Sequence, residues 1–419
     1  MARWDTRWPI LLLSILPAFA QIDDAQALKQ FHQACIDDKS PLWGVTLWGR
    51  IVLADPSTRS AIATERDPDG KFEPRDGLFY GTLPDKITPS NTSIDWGGQQ
   101  WSLVMMPLPV SKYSRLNLLA HESFHRLQKD LNLRATDQMN GHLDTEAGRV
   151  WLRMELRALA RALRTNGDES KSAVQDALAF RAIRQKMFPG AKAHEASLEI
   201  QEGLAEYTGT VFALKNSGET IQRVARATED FEDQQSFTRS FAYATGPALG
   251  LLLDRYKPDW RKSVTSETDL ASILSAAVGT RTGDARDQYG YQSVSTDEHE
   301  RELRHQEVLT KFTNLFLEGP VLQFPKTAEL YRNFNPSNLV SLGEHGTVYP
   351  TGTFTSRWGK LHVEDVGALL SPDNQTLRVV APKSADSLSG PGWKLELAPG
   401  WTIRPSTHPG DFELIQGVP

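Results

Sequence analysis

The sequence predicts an α+β fold, with a strand-rich N-terminal part, a helical middle and a small C-terminal β domain. Three observations carry this. Apolar and polar residues alternate between about 40 and 110, a 3.6-residue apolar period runs from about 111 to 317, and short alternating runs return after Gly319-Pro320.

Arg3 and Arg7 precede the apolar run Pro9 to Leu16, and Ala18-Phe19-Ala20 fits the small-x-small pattern of signal peptidase cleavage. The run is too short to span a bilayer, so residues 1–20 are expected to be a removed signal peptide and the protein exported, periplasmic or extracellular. Residues 21–110 form the strand-rich part. Val45, Leu47, Ile51 and Leu53 lie near Trp43 and Trp48, and Trp101, Leu103 and Met105 alternate with Gln100, Ser102 and Val104. Pro107 and Pro109 end that second run.

Residues 111–317 form the helical region. Leu152, Leu156, Leu159 and Leu163 make one stripe, and Ala173, Ala177, Phe180 and Ile183 make another that Pro189-Gly190 stops. Arg149, Arg153, Arg157, Arg161 and Arg164 interleave with the first stripe and are expected on a solvated face. The segment from Gly279 to Thr296 is expected to be a loop that covers or borders a cleft. In residues 318–419, Leu377, Val379 and Ala381 alternate with polar residues, as do Trp393, Leu395 and Leu397, with turns at Pro399-Gly400 and Pro409-Gly410. That is the pattern of a small β domain.

The net charge of −6 becomes −7 without Arg3, Asp5 and Arg7, and the charges are interspersed rather than blocked. This excludes a basic nucleic-acid surface. Cys35 is the only cysteine, so no intramolecular disulfide is possible. After residue 20 no apolar run reaches the roughly 20 residues of a membrane helix, so no membrane span is expected in the mature chain.

The chemistry concentrates at His121-Glu122-Ser123-Phe124-His125. On a helix, positions i and i+4 share a face, so the two imidazoles can bind one ion while Glu122 sits beside it. This HExxH arrangement suits a zinc hydrolase. Leu116, Ala120, Phe124, Leu127 and Leu131 form the apolar stripe of the same helix, with Gln128 below the histidines. A third ligand is expected in Ser197 to Tyr207, where Glu202 and Glu206 are again i and i+4. One could bind the ion while the other orients a ligating histidine. His194, Glu195 and Glu199 are competing ligands at and just before the start of that stretch, and His142 is a further candidate for a ligand or substrate contact.

HESFH followed by EGLAEY resembles the gluzincin branch of the zincin metallopeptidases, which includes thermolysin, neprilysin and the membrane alanyl aminopeptidases. The resemblance implies a zincin-like catalytic region holding one zinc ion per chain through His121, His125 and Glu202. It makes Glu122 the catalytic carboxylate and Glu206 the support for His121. The implied reaction is hydrolysis of a peptide or protein substrate by a zinc-activated water, with Glu122 as general base. Tyr243 is the first candidate for a donor to the developing oxyanion and Tyr207 the second. The resemblance covers about twenty residues in two blocks, and Glu202 lies 77 positions after His125 (202 − 125), a longer interval than in thermolysin. Neither GxMEN nor NAxY occurs, so a catalytic class is implied without a specificity. By the same resemblance, the run from Gln100 to Met106 is a candidate edge strand for binding extended substrate. The alternatives are a zinc hydrolase of another amide or ester, and a zincin-fold binding protein without turnover.

Overall fold

The computed structural model describes residues 23–136, 139–215, 218–281, 283–327, 329–334 and 338–417. The expected signal peptide, 1–20, lies outside them. The chain divides into two compact units after Tyr291, ahead of the change in sequence character at Gly319-Pro320. The mixed α+β class holds in both.

In the first unit, α1 (Asp24–Asp37) starts where the Asp23 carboxylate accepts the Ala25 N–H, and it buries Leu28, Phe31 and Cys35. A six-stranded sheet follows: β1 (Ile51–Ala54), β2 (Ser60–Ala63), β3 (Glu73–Arg75), β4 (Leu78–Thr82), β5 (Thr92–Trp96) and β6 (Gln99–Met105). Its order is β3-β4-β2-β1-β6-β5. Only β1 and β6 pair in parallel, and every residue of β1 is buried, as suits a central strand covered on both faces. Val52, Ala63, Phe72, Trp96, Trp101 and Leu103 pack together as the core of this sheet. Gly97 and Gly98, both at positive φ, make the two-residue turn of the β5–β6 hairpin.

Two expectations for this region are corrected. Val45 and Leu47 lie in turns before β1, where Gly44 takes φ +73° and the Trp43 indole donates to Thr208 Oγ1 (2.9 Å). The run from Gln100 to Met106 is not an edge. As β6 it is hydrogen-bonded between β1 and β5, and β5 is the free edge on that side.

The helices follow as α2 (Lys112–Leu127), α3 (Glu146–Arg164), α4 (Gly167–Met187), α5 (Ala191–Leu198), α6 (Leu204–Leu214), α7 (Gly218–Asp230), α8 (Ala242–Tyr256) and α9 (Leu270–Val278). Between α5 and α6 the chain stays helical through a single π turn, Glu199–Gly203. The arginine stripe on α3 is a solvated face only towards its end, where Arg164 is exposed. Arg149 and Arg153 are buried, Arg153 and Arg157 both reach Glu232 (3.1 and 2.8 Å), and Arg161 and Arg164 pair with Glu169 and Glu229. Acids on neighbouring elements neutralise the stripe. No described residue of the segment from Gly279 to Thr296 lines the cleft described below. Its Tyr289 packs on Phe180 of α4 and donates to Asp176, and its last residues open the helix beginning at Tyr291.

The second unit opens with α10 (Tyr291–Thr313), which straddles the division, and continues as two antiparallel-rich sheets. Its strands include β7 (Val321–Gln323), β8 (Tyr331–Phe334), β9 (Val340–Ser341), β10 (Thr347–Tyr349), β11 (Gly352–Ser356) and β12 (Gly359–Val363). They continue as β13 (Ala368–Leu370), β14 (Leu377–Val380), β15 (Ser389–Gly390), β16 (Trp393–Leu397), β17 (Trp401–Pro405) and β18 (Phe412–Gln416). The orders are β17-β18-β7-β14-β13-β10-β9 and β15-β16-β12-β11-β8. Leu322, Val379 and Leu414 from the first sheet share one core with Phe354, Leu361 and Trp393 from the second, as in a β-sandwich. The alternation in β16 holds: Trp393 and Leu395 are buried while Lys394 and Glu396 are exposed. Among the described residues, no helix is long and apolar enough to cross a membrane.

Candidate metal centre

Helix α2 carries the first half of the site. Ser111 caps its N-terminus by accepting the Ser114 N–H, and Leu116, Ala120 and Phe124 bury its apolar stripe. Its contact with the sheet is specific, because Ser102 Oγ on β6 donates to the Glu122 carbonyl (3.0 Å). His121 and His125 project from the adjoining face, as the i, i+4 spacing requires.

The second half comes from the π turn. A π turn admits one more residue than the α-helical spacing and is often found at functional sites. Here Glu202 sits within that turn and Glu206 in the first turn of α6. The turn is held close to α8 by Gly203 and Gly246: a Cβ added at Gly246 would lie 2.2 Å from the Gly203 Cα. α8 thereby brings Tyr243 over the site, with its ring stacked on that of His121 at 5.6 Å between centroids.

Three donor atoms converge. His121 Nε2 and His125 Nε2 are 3.0 Å apart, and Glu202 Oε2 lies 3.6 and 3.4 Å from them. Bonds of about 2.0–2.1 Å in a tetrahedral zinc shell put donors about 3.3 Å apart, so the triangle has the size that such an ion needs. Among the described residues this is the group of three or more His, Cys, Asp or Glu side chains suited to a metal.

The outer nitrogens are also engaged. His121 Nδ1 is 3.1 Å from Glu206 Oε2, and His125 Nδ1 is 2.8 Å from Gln128 Oε1. Each partner turns an Nε2 toward the centre. Glu206 in turn accepts from Asn117 Nδ2 (3.0 Å), and Gln128 Nε2 donates to the carbonyls of Ile200 and Gln201, tying α2 to the π turn. Asn117 and Gln128 were not predicted as site residues. Asn117 stands four positions before His121 and Gln128 three after His125, so the helical period that found the histidines also marks them.

The electrostatics favour a cation among the three donors. Burial disfavours charge on His121, but hydrogen bonds to Glu202 and Glu206 outweigh it and raise its pKa to about 10. Burial would raise the Glu202 carboxyl, yet His121, His125 and Tyr243 hold it well below the usual carboxylate range. Burial pushes the Glu122 carboxyl up against the opposing pull of the histidines. Glu122 Oε2 is buried with no hydrogen-bond partner, although Glu122 lines the cleft. An unpaired buried oxygen of that kind fits a water or substrate proton beside it. The Tyr243 hydroxyl donates to Glu202 Oε2 (2.7 Å), and burial together with Glu202 keeps it protonated well beyond neutral pH.

The remaining candidates fall elsewhere. Glu195 is buried and pairs with Arg184 (2.8 Å) and His142 (2.8 Å), which places His142 in that cluster rather than with the three converging donors. Glu199 accepts from both terminal nitrogens of Arg181 (2.9 and 2.5 Å) and from Thr245 (2.6 Å). Tyr207 is fully buried and donates to Asp254 (2.6 Å).

The donors open on a cleft of about 410 Å³ whose wall includes Asn91, Thr92 and Ser93, at and beside the start of the edge strand β5. No protein-family model, curated protein or solved structure matches the chain.

Proposed function

We propose that this chain is an exported, zinc-dependent metallopeptidase of gluzincin type, with His121, His125 and Glu202 as zinc ligands and a zincin-like catalytic region. The observation that carries the reading is the triangle of donor atoms beside a buried, unpaired Glu122 oxygen. A zinc ion in such a site supplies Lewis acidity and lowers the pKa of water toward about 7. Glu122, made more basic by burial, takes one proton from the attacking water as its oxygen bonds to the scissile carbonyl carbon. It returns that proton to the leaving nitrogen as the C–N bond breaks. Glu206 and Gln128 hold the two imidazoles in register, and the Tyr243 hydroxyl, turning its one O–H from Glu202 Oε2, is the donor for charge that develops on the carbonyl oxygen. The free edge of β5 offers backbone groups to an extended peptide lying in the cleft.

Cleavage of a peptide library by wild type and Glu122→Gln tests the reading. Removing the general base is expected to lower kcat by about 10²–10⁴-fold while zinc content stays near that of wild type. Zinc-loaded wild type that cleaves nothing would favour a binding protein, and cleavage of non-peptide amides or esters alone would favour the other hydrolase.

A further inference from the structure

Two cations line the cleft beyond the histidines, and neither has an assigned role. Lys129 and Arg134 are both exposed there, and among the described residues neither meets an acid. This sets them apart from Arg153, Arg157, Arg161 and Arg164 on α3, each of which has a carboxylate partner. The other charged lining residues are Glu122, Glu202 and Glu206, gathered around the histidines. With a dication held there, the cleft is net positive in a chain of net charge −6.

The cations are also built into the site. Helical hydrogen bonding continues past α2, with Leu131 N–H on the Leu127 carbonyl (3.0 Å), so Lys129 follows His125 by one turn on the same face. Arg134 lies between two anchored neighbours: Leu133 N–H donates to the Gln128 carbonyl (2.7 Å) and Ala135 N–H to Gln201 Oε1 (3.2 Å). Gln201 Nε2 in turn donates to Gln128 Oε1 (3.2 Å), the oxygen that holds His125. The segment bearing Arg134 is therefore fixed to the groups that orient a metal ligand.

We propose that Lys129 and Arg134 form a carboxylate subsite that selects substrates with an anionic group close to the bond cleaved. Arg presents a planar fork suited to a carboxylate and Lys a second positive charge. Lys129 stands one helical turn, about 5.4 Å, beyond His125 and lines the same cleft as Arg134, which keeps the bound carboxylate close to the scissile bond. An acidic side chain and a free C-terminus both supply this chemistry. The subsite rests on the peptidase reading for its meaning, while its test reads binding.

Isothermal titration of zinc-treated Glu122→Gln protein with two peptide pairs provides that test. One pair differs only in Glu against Gln and is amidated, and the other lacks acidic side chains and differs in C-terminal acid against amide. At least one acidic member is expected to bind about tenfold or more tightly than its partner, and the pair that discriminates names the source. Adding Lys129→Met and Arg134→Gln is expected to bring the ratio near one. Zinc is measured on the same samples. Discrimination without zinc keeps the subsite and refutes the metal reading. Equal or undetectable binding of both members at millimolar peptide, or discrimination that survives the double substitution, overturns the subsite.

Discussion

Replacing Gly246 by Ala tests how the turn that carries Glu202 is held. Gly246 lies in the first half of α8, where Ala alone would favour the helix by about 0.5–1 kcal/mol. The added Cβ, however, would stand 2.2 Å from the Gly203 Cα and 2.5 Å from its carbonyl carbon and oxygen. Ordinary carbon contacts begin at about 3.5 Å, so two backbones must part by more than about 1 Å. Overpacking of this kind costs about 1–3 kcal/mol, which outweighs the propensity gain. The same shift pulls Tyr243 from Glu202 and Thr245 from Glu199, which are now 2.7 and 2.6 Å apart. Urea denaturation of the metal-free protein is expected to show a loss of about 1–2 kcal/mol. Chelator competition is expected to show zinc affinity lowered by about 10–100-fold. A Gly246→Ala protein with wild-type midpoint and zinc affinity would refute the claim that this crossing positions Glu202.

Two other predictions concern groups outside the chemistry. Arg181→Met leaves the buried Glu199 carboxylate without its cation (now 2.5 Å away) and Glu155 with Arg184 alone, and is expected to cost about 3–5 kcal/mol. An unchanged urea midpoint would contradict it. Burial, aided by Asp38, pushes the Cys35 thiol up to about 12, so it should resist alkylation near pH 8 in the folded protein and react once unfolded. Because the folded pKa is the higher one, the thiol's contribution to stability is intact below about pH 9 and declines as pH rises toward 12. Wild type should thus lose more stability over that range than Cys35→Ala; equal losses would argue against a buried thiol.

Much of the site was written in local spacing. His121 and His125, and likewise Glu202 and Glu206, are one turn apart, and the structure sets each pair on one side of its helix. Alternation likewise marked β16, because burial on one face of a strand leaves a period of two, whereas β6 is buried on both faces from Trp101 to Val104. Pairing order left no such mark. Which strand is the edge depends on a neighbour distant in sequence, so the resemblance that made β6 a candidate edge carried no sign that β1 and β5 flank it. The burial of Arg153 on α3 is hidden from the sequence for a similar reason: its partner Glu232 lies far along the chain. The π turn carries no distinct residue pattern, and the Gly203–Gly246 crossing requires two glycines that no period connects.

The central claim is that His121, His125 and Glu202 hold one ion. Mass spectrometry of metal content after zinc reconstitution and buffer exchange, on wild type, His121→Ala and Glu202→Ala, tests it most directly. The account predicts about one zinc per wild-type chain and loss of zinc in both variants. A wild-type protein that retains no zinc, or variants that retain it fully, would contradict the account.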